Sequence, residues 1–207
     1  MSLMIRLATP GDAEQVQAIY APYCHTPISF EMEPPSVEEM RHRIAKVLGP
    51  YPWLVCADGA EVLGYVYATQ HRERAAYRWS VDTTVYVRQG QLRRGIGRAL
   101  YTSLLTMLPL QGYVNAYAGV TLPNPASVGL HEALGFERVG VYRQVGFKRG
   151  TWYDVTWFQR SLQPRPEEPP PLKRLEEVQQ NSEWVKALGE GLALLPNGFP
   201  TEKRSSS

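Results

Sequence analysis

The sequence predicts an α/β protein, α+β in character, built on a mixed sheet with flanking helices. Three observations point there. Stretches rich in β-branched and aromatic residues alternate with stretches of helical spacing. Glycine, proline and capping residues mark the joins between them. Hydrophobic residues make up 43% of the 207, enough to bury a core.

Leu3–Leu7 reads as a first strand, and Pro10-Gly11-Asp12 starts a helix with Val16, Ile19 and Tyr20 on one side. Ser36 is an N-cap for a second helix, with Glu39 completing a capping box. Trp53–Ala57 and Glu61–Thr69 are strands around a turn at Asp58-Gly59. Tyr77–Val87 has the composition of a long strand. A helix over Gly95–Met107 is expected to close at Pro109. Val114–Val120 is a strand, and Asn124–Leu134 a helix ended by Gly135. Val139–Phe147 and Trp152–Leu162 form a final hairpin.

Composition changes near residue 163. The run QPRPEEPPP (163–171) cannot sit in a helix or a central strand, so it reads as an extended linker. Beyond it, one amphipathic helix over Leu172–Leu188 is expected, and the closing TEKRSSS (201–207) reads as disordered. The working domain is therefore 1–162, with 163–207 as linker and tail. A formal charge of +2 argues for neither a nucleic-acid nor a membrane partner. Cys24 and Cys56 have no metal or redox spacing, and no signal peptide or long apolar span is present. A soluble cytoplasmic protein is the expectation.

The run Thr83–Leu100, TTVYVRQGQLRRGIGRAL, carries the clearest chemistry. A strand ends, a basic glycine-bearing loop follows, and a helix begins near Gly95. Unpaired N–H groups and the helix dipole make such an N-terminus attractive to anions. Gly95 and Gly97 let a ligand approach the backbone, and Arg93, Arg94 and Arg98 add charge. That combination describes a pyrophosphate site, with contacts expected from the main chain of Arg93, Arg94, Gly95, Ile96, Gly97 and Arg98. The dinucleotide pattern G-x-G-x-x-G fails, because position 100 is Leu, and a P-loop is absent from the run.

This loop, with YPWLV (51–55), TTVYV (83–87), LPNPASVGLHEALGF (122–136) and GFKRGTWYDV (146–155), resembles the GNAT acetyltransferases. More narrowly, it is similar to the phosphinothricin and methionine sulfoximine N-acetyltransferases. The resemblance runs in order over residues 4–162. It implies a GNAT fold with a twisted, mostly antiparallel sheet. It also implies acetyl-CoA as acetyl donor, a small amino-acid-like acceptor, direct transfer in a ternary complex, and a homodimer to which Phe147–Trp152 contributes. No metal is implied.

By the same resemblance, Val85, Tyr86 and Val87 would face the pantetheine arm and acetyl carbonyl, and Asn124 would hydrogen-bond the arm. Asp82 stands where the family places a Glu or His base; being one methylene shorter, it would work directly or through a water. His131 stands where relatives place a tyrosine acid for the departing thiolate. Phe30 lies in the segment expected to line the acceptor pocket. Arg72, Arg74 and Arg78 could hold an acceptor carboxylate or phosphinate. His25, His42 and His71 fall in no constellation. Leu92 replaces the family's Gln or Arg at the start of the glycine loop. Two rivals stay open: an acetyltransferase for peptides or polyamines, and a non-enzymatic CoA-binding module.

Overall fold

The computed structural model describes residues 3–196; the TEKRSSS end lies outside them. Strands β1 (Leu3–Leu7), β2 (Trp53–Asp58), β3 (Glu61–Gln70), β4 (Ser80–Val87), β5 (Asn115–Thr121), β6 (Glu137–Lys148) and β7 (Thr151–Ser161) form one sheet. Their order is β1-β2-β3-β4-β5-β7-β6. Every neighbouring pair is antiparallel except β4 and β5. Helices α1 (Ala13–Cys24) and α2 (Val37–Val47) cover one face of the sheet. On the other lie α3 (Ile96–Gln111), α4 (Pro125–Ala133), α5 (Leu175–Val178) and α6 (Ser182–Leu192).

Strand alternation sends side chains into two cores. Val55, Val62 and Tyr65 pack with Ile19, Met40 and Ile44 on the first face. Leu54, Leu63, Val81, Ala116 and Phe158 pack with Leu100, Leu104 and Trp184 on the second.

Several boundaries differ from the sequence reading for identifiable reasons. The first residues of the expected strand at Tyr77 form a tight turn over Ala75–Tyr77, and β4 begins at Ser80. Pro109 sits inside α3 instead of ending it; the helix runs on to Gly112, whose φ of 98° supplies the left-handed terminus. Ser36 accepts a hydrogen bond from the Glu39 amide at 3.1 Å, but the Glu39 carboxylate pairs with Arg43 at 3.0 Å. The capping box is thus half used. In place of one helix over Leu172–Leu188 there are two, because Asn181 caps α6 through the Glu183 amide at 3.0 Å.

The C-terminal segment is docked on α3. An added Cβ at Gly191 would collide with the Ala99 carbonyl and the Ser103 hydroxyl, so glycine is needed for the two helices to touch. Ser103 Oγ donates to the Leu188 carbonyl at 3.1 Å, and Trp184 and Ala187 are buried. A Cβ added at Gly95, at the start of α3, would stand 3.9 Å from the Leu195 side chain.

Candidate active site

The β4–β5 pairing lasts three residues: Ser80 with Asn115, Val81 with Ala116, and Asp82 with Tyr117. Past that point the strands part. Thr83 Oγ1 bridges the opening by donating to the Tyr117 carbonyl at 3.0 Å. Beyond it, β4 pairs with β3 but with no strand on its other side among the described residues. The Arg88 amide donates to the Leu63 carbonyl at 2.8 Å. By the alternation of an antiparallel ladder, residues 83, 85 and 87 then aim their main-chain groups into the gap. The Val87 carbonyl is already taken by the Tyr23 hydroxyl at 2.6 Å. Val85 therefore offers its amide and carbonyl, and Val87 its amide. Tyr86 turns its main chain to β3 and its ring onto Tyr20 and Tyr23, with centroids 4.9 Å away in both cases.

From Val87 the chain passes through the basic loop into α3. Arg93 and Gly95 have φ of 62° and 81°, which turns the loop sharply before Ile96. An added Cβ at Gly97 would stand 3.4 Å from Leu130 and 3.7 Å from Val87, so α3 starts close against β4. Arg93 and Arg98 are exposed, while the Arg94 guanidinium bonds Gln91.

The gap has two chemically different sides. Residues 82, 84 and 86 face the α1 side, and 83, 85 and 87 the α3 side. On the α1 side, Asp82 Oδ1 lies 2.6 Å from His71 Nδ1. The imidazole stacks on Tyr117, with centroids 4.2 Å apart and planes 15° from parallel. Burial raises the Asp82 pKa, while the His71 hydrogen bond and the nearby Arg72 pull it back. His71, which falls in no constellation by sequence, is therefore part of the site in the structure. The β3–β4 register was the available signal, since Thr69 pairs with Asp82 and carries the chain back past that carboxylate.

On the α3 side, His131 is 3% exposed. Its Nδ1 donates to the Ser127 carbonyl at 2.7 Å, and its Nε2 accepts from the Tyr101 hydroxyl at 3.0 Å. Burial lowers its pKa, so the neutral ring is favoured. Asn124 caps α4 by accepting from the Ser127 amide at 3.1 Å. Thr84, Val85, Gly119, Asn124, Tyr101 and His131 line one cleft.

Ile28 closes that cleft from the loop between α1 and α2. The loop is fixed by Lys148, a residue the sequence reading passed over. Lys148 is 2% exposed, and its Nζ lies 2.7, 2.9, 2.6 and 2.7 Å from the carbonyls of Cys24, Thr26, Ser29 and Glu31. Phe30 rests its ring on Gly146, where any Cβ would collide with it. A bulge in β6, with Arg143–Val145 opposite Asp154, sets Gly146 and Lys148 under the loop.

The three arginines part company. Arg72 stacks over Trp157 at 5.7 Å, beside the Asp82–His71 pair. Arg78 stacks on Trp79 at 4.6 Å, and the Trp79 indole bonds the Pro170 carbonyl, which places Arg78 on the linker side of the molecule. Arg74 is exposed.

The model of the acetyltransferase (GNAT) domain matches residues 5–157. The chain belongs to the GNAT acetyltransferase family. As a GNAT protein it is 42% identical to the phosphinothricin N-acetyltransferase of Streptomyces coelicolor over 161 residues, 74% of this chain and 94% of the relative. It is 36% identical to the L-methionine sulfoximine/L-methionine sulfone acetyltransferase of Pseudomonas paraeruginosa over 79% of this chain and 97% of that one. Among solved GNAT structures, the phosphinothricin acetyltransferase of Sinorhizobium meliloti in complex with AcCoA superposes with a TM-score of 0.76. The two share 33% identity, covering 83% of this chain and 97% of that one. The chain is an enzyme of this acetyltransferase class, on a mostly antiparallel seven-stranded GNAT sheet. Among the described residues no helix is long and apolar enough to cross a membrane.

Proposed function

We propose that this enzyme transfers the acetyl group of acetyl-CoA to the amino group of a small amino-acid-like acceptor of the phosphinothricin, methionine sulfoximine or methionine sulfone type. The observation that carries the reading is the parted β4–β5 pair leading into the glycine loop. It offers unpaired main chain at Val85 and Val87 for an extended amide-bearing arm, and N–H groups at the start of α3 for a pyrophosphate. The absence of a side chain at Gly97 keeps that start against the strand.

Both substrates bind before transfer. Arg93–Arg98 hold the diphosphate and the Asn124 carboxamide holds the arm. The acceptor amine enters on the Asp82 side, where the carboxylate and its hydrogen-bonded neighbour provide the basic end. Arg72 is the cation placed to hold the acceptor's anionic group; Phe30 and Ile28 form its apolar wall. The Val85 and Val87 amides steady the developing oxyanion. Thiolate is released on the opposite side, where the Tyr101–His131 pair supplies a protonated hydroxyl.

A homodimer built through the last hairpin fits its exposed surface: Phe147 and Trp152 pair at 5.2 Å on an edge of the sheet, and both are more than half exposed. Two buried, unpaired thiols suit a cytoplasmic setting.

An amine panel with acetyl-CoA tests the activity. Turnover of methionine sulfone or phosphinothricin is expected, and activity confined to peptides or polyamines would end the reading. Asp82→Ala is expected to lower kcat by about 100-fold or more, the usual contribution of a positioned base. Unchanged kcat would remove Asp82 from the site.

A further inference from the structure

We propose that His71 Nε2, not the Asp82 carboxylate, is the atom that takes the acceptor's proton, which makes His71 a catalytic residue. The inference rests on the acetyl-transfer reading above and deepens it. Asp82 Oδ1 and His71 Nδ1 are 2.6 Å apart. An ionised carboxylate only accepts hydrogen bonds, so Nδ1 carries the hydrogen. In the neutral ring Nε2 then bears a lone pair. No described residue hydrogen-bonds that nitrogen.

The ring is also held in one plane. Tyr117 stacks beneath it, and Tyr77 and Trp157 present edges at 6.0 and 6.4 Å. The side chain keeps 12% of its surface exposed. The charged groups beside it are Asp82 and Arg72. His131 makes the contrast clear, because both of its nitrogens are committed inside the protein. The Asp82 carboxylate holds Nδ1 and so orients the imidazole, whose other nitrogen carries the basic lone pair.

The acceptor ammonium loses one proton to Nε2, and the imidazolium formed is held against the Asp82 carboxylate. The freed amine bonds to the acetyl carbon as the carbon–sulfur bond breaks. The departing sulfur takes the Tyr101 hydroxyl proton, giving the free thiol, and the nitrogen's second proton, lost through solvent, balances the one that restores the hydroxyl. His71 then returns its proton to solvent.

His71→Asn tests this in the full-length protein with acetyl-CoA and methionine sulfone, since Asn keeps an N–H for Asp82 but takes no proton. The expected result near neutral pH is a fall in kcat of about 100-fold, with KM for acetyl-CoA within about twofold. The deficit should shrink as pH rises toward the acceptor's own pKa, and added imidazole should restore part of the rate. A variant with native kcat and a native pH profile would overturn the proposal. Imidazole 15N shifts of the native protein give a readout that needs no acceptor. Hydrogen on Nδ1 and none on Nε2 is expected; the opposite tautomer overturns the proposal whatever the acceptor is. If the native enzyme acetylated no amino-acid-like amine yet showed the expected tautomer, the acceptor assignment would have failed and the poised nitrogen would stand.

Discussion

The two sides of the parted strands are built on different plans. The α1 side is built from loops: His71 follows β3 and bonds Asp82, and the α1–α2 loop that carries Ile28 and Phe30 is tied down by Lys148 from a distant strand. The α3 side is helix-lined, with Tyr101 from α3 and His131 from α4 locked in a closed chain of hydrogen bonds and α6 bracing the outside. One side leaves a nitrogen available and the other leaves none. The comparison teaches that reactivity and rigidity are assigned to separate elements: the α1–α2 loop is held by main-chain contacts to Lys148, and the Tyr101–His131 wall is held by side-chain packing.

Lys148→Met breaks the first side. Removing the ammonium strands four carbonyls near a buried site, at a cost of about 3 kcal/mol or more, or roughly 6–12 °C in Tm. The acceptor KM should rise while the KM for acetyl-CoA holds. A melting curve and acceptor KM matching the native enzyme would show that the loop is held by something else.

His131→Ala probes the second side. Losing the ring from between Phe158 and Tyr101 should cost about 2 kcal/mol. The pH dependence sharpens the point. Burial holds the folded pKa of His131 below the ordinary 6.5, so the unfolded chain takes up protons first as pH falls. The stability His131 contributes is complete above about 6.5 and is lost as pH drops through the folded value. Melting curves between pH 7.5 and 5.5 should therefore fall more steeply for the native protein than for the variant; parallel slopes would mean the ring is not held neutral.

The smallest effect is expected from Gly191→Ala, which pushes α6 off α3. Overpacking of this kind costs about 1–3 kcal/mol of stability, and its effect on turnover is the smallest of the three because no reacting group is touched. Because the Leu195 side chain flanks the start of α3 at Gly95, 3.9 Å from where a Cβ would stand, the KM for acetyl-CoA should rise a few-fold with the acceptor KM unchanged. Equal shifts in both KM values would mean that the brace acts on the fold as a whole and not on the cofactor loop.

The strands and the first four helices were legible because each carries its own period and its own punctuation. Gly112 against Pro109 shows where that reading fails: a proline in the last turn of a helix is tolerated when a glycine three residues on provides the exit. The glycine loop was legible as an anion site from local sequence alone. His71 was not, since its meaning depends on the register of β3 against β4. Lys148 lies further still from what a linear reading can reach, with acceptors 117 to 124 residues away along the chain. The docking of α6 depends on a missing side chain at Gly191, and a sequence pattern registers that as a weak helix position, not as a seat for another helix.

Lys148 recognises carbonyl oxygens and no side chain. Every residue type presents the same carbonyl, so the identities at Ile28, Phe30 and their neighbours can drift without unseating the backbone that carries them. The scaffold thereby separates the shape of the entrance from the chemistry displayed on it. New amines could be recruited by substitution along a single short segment while the transfer machinery behind it stays as it is.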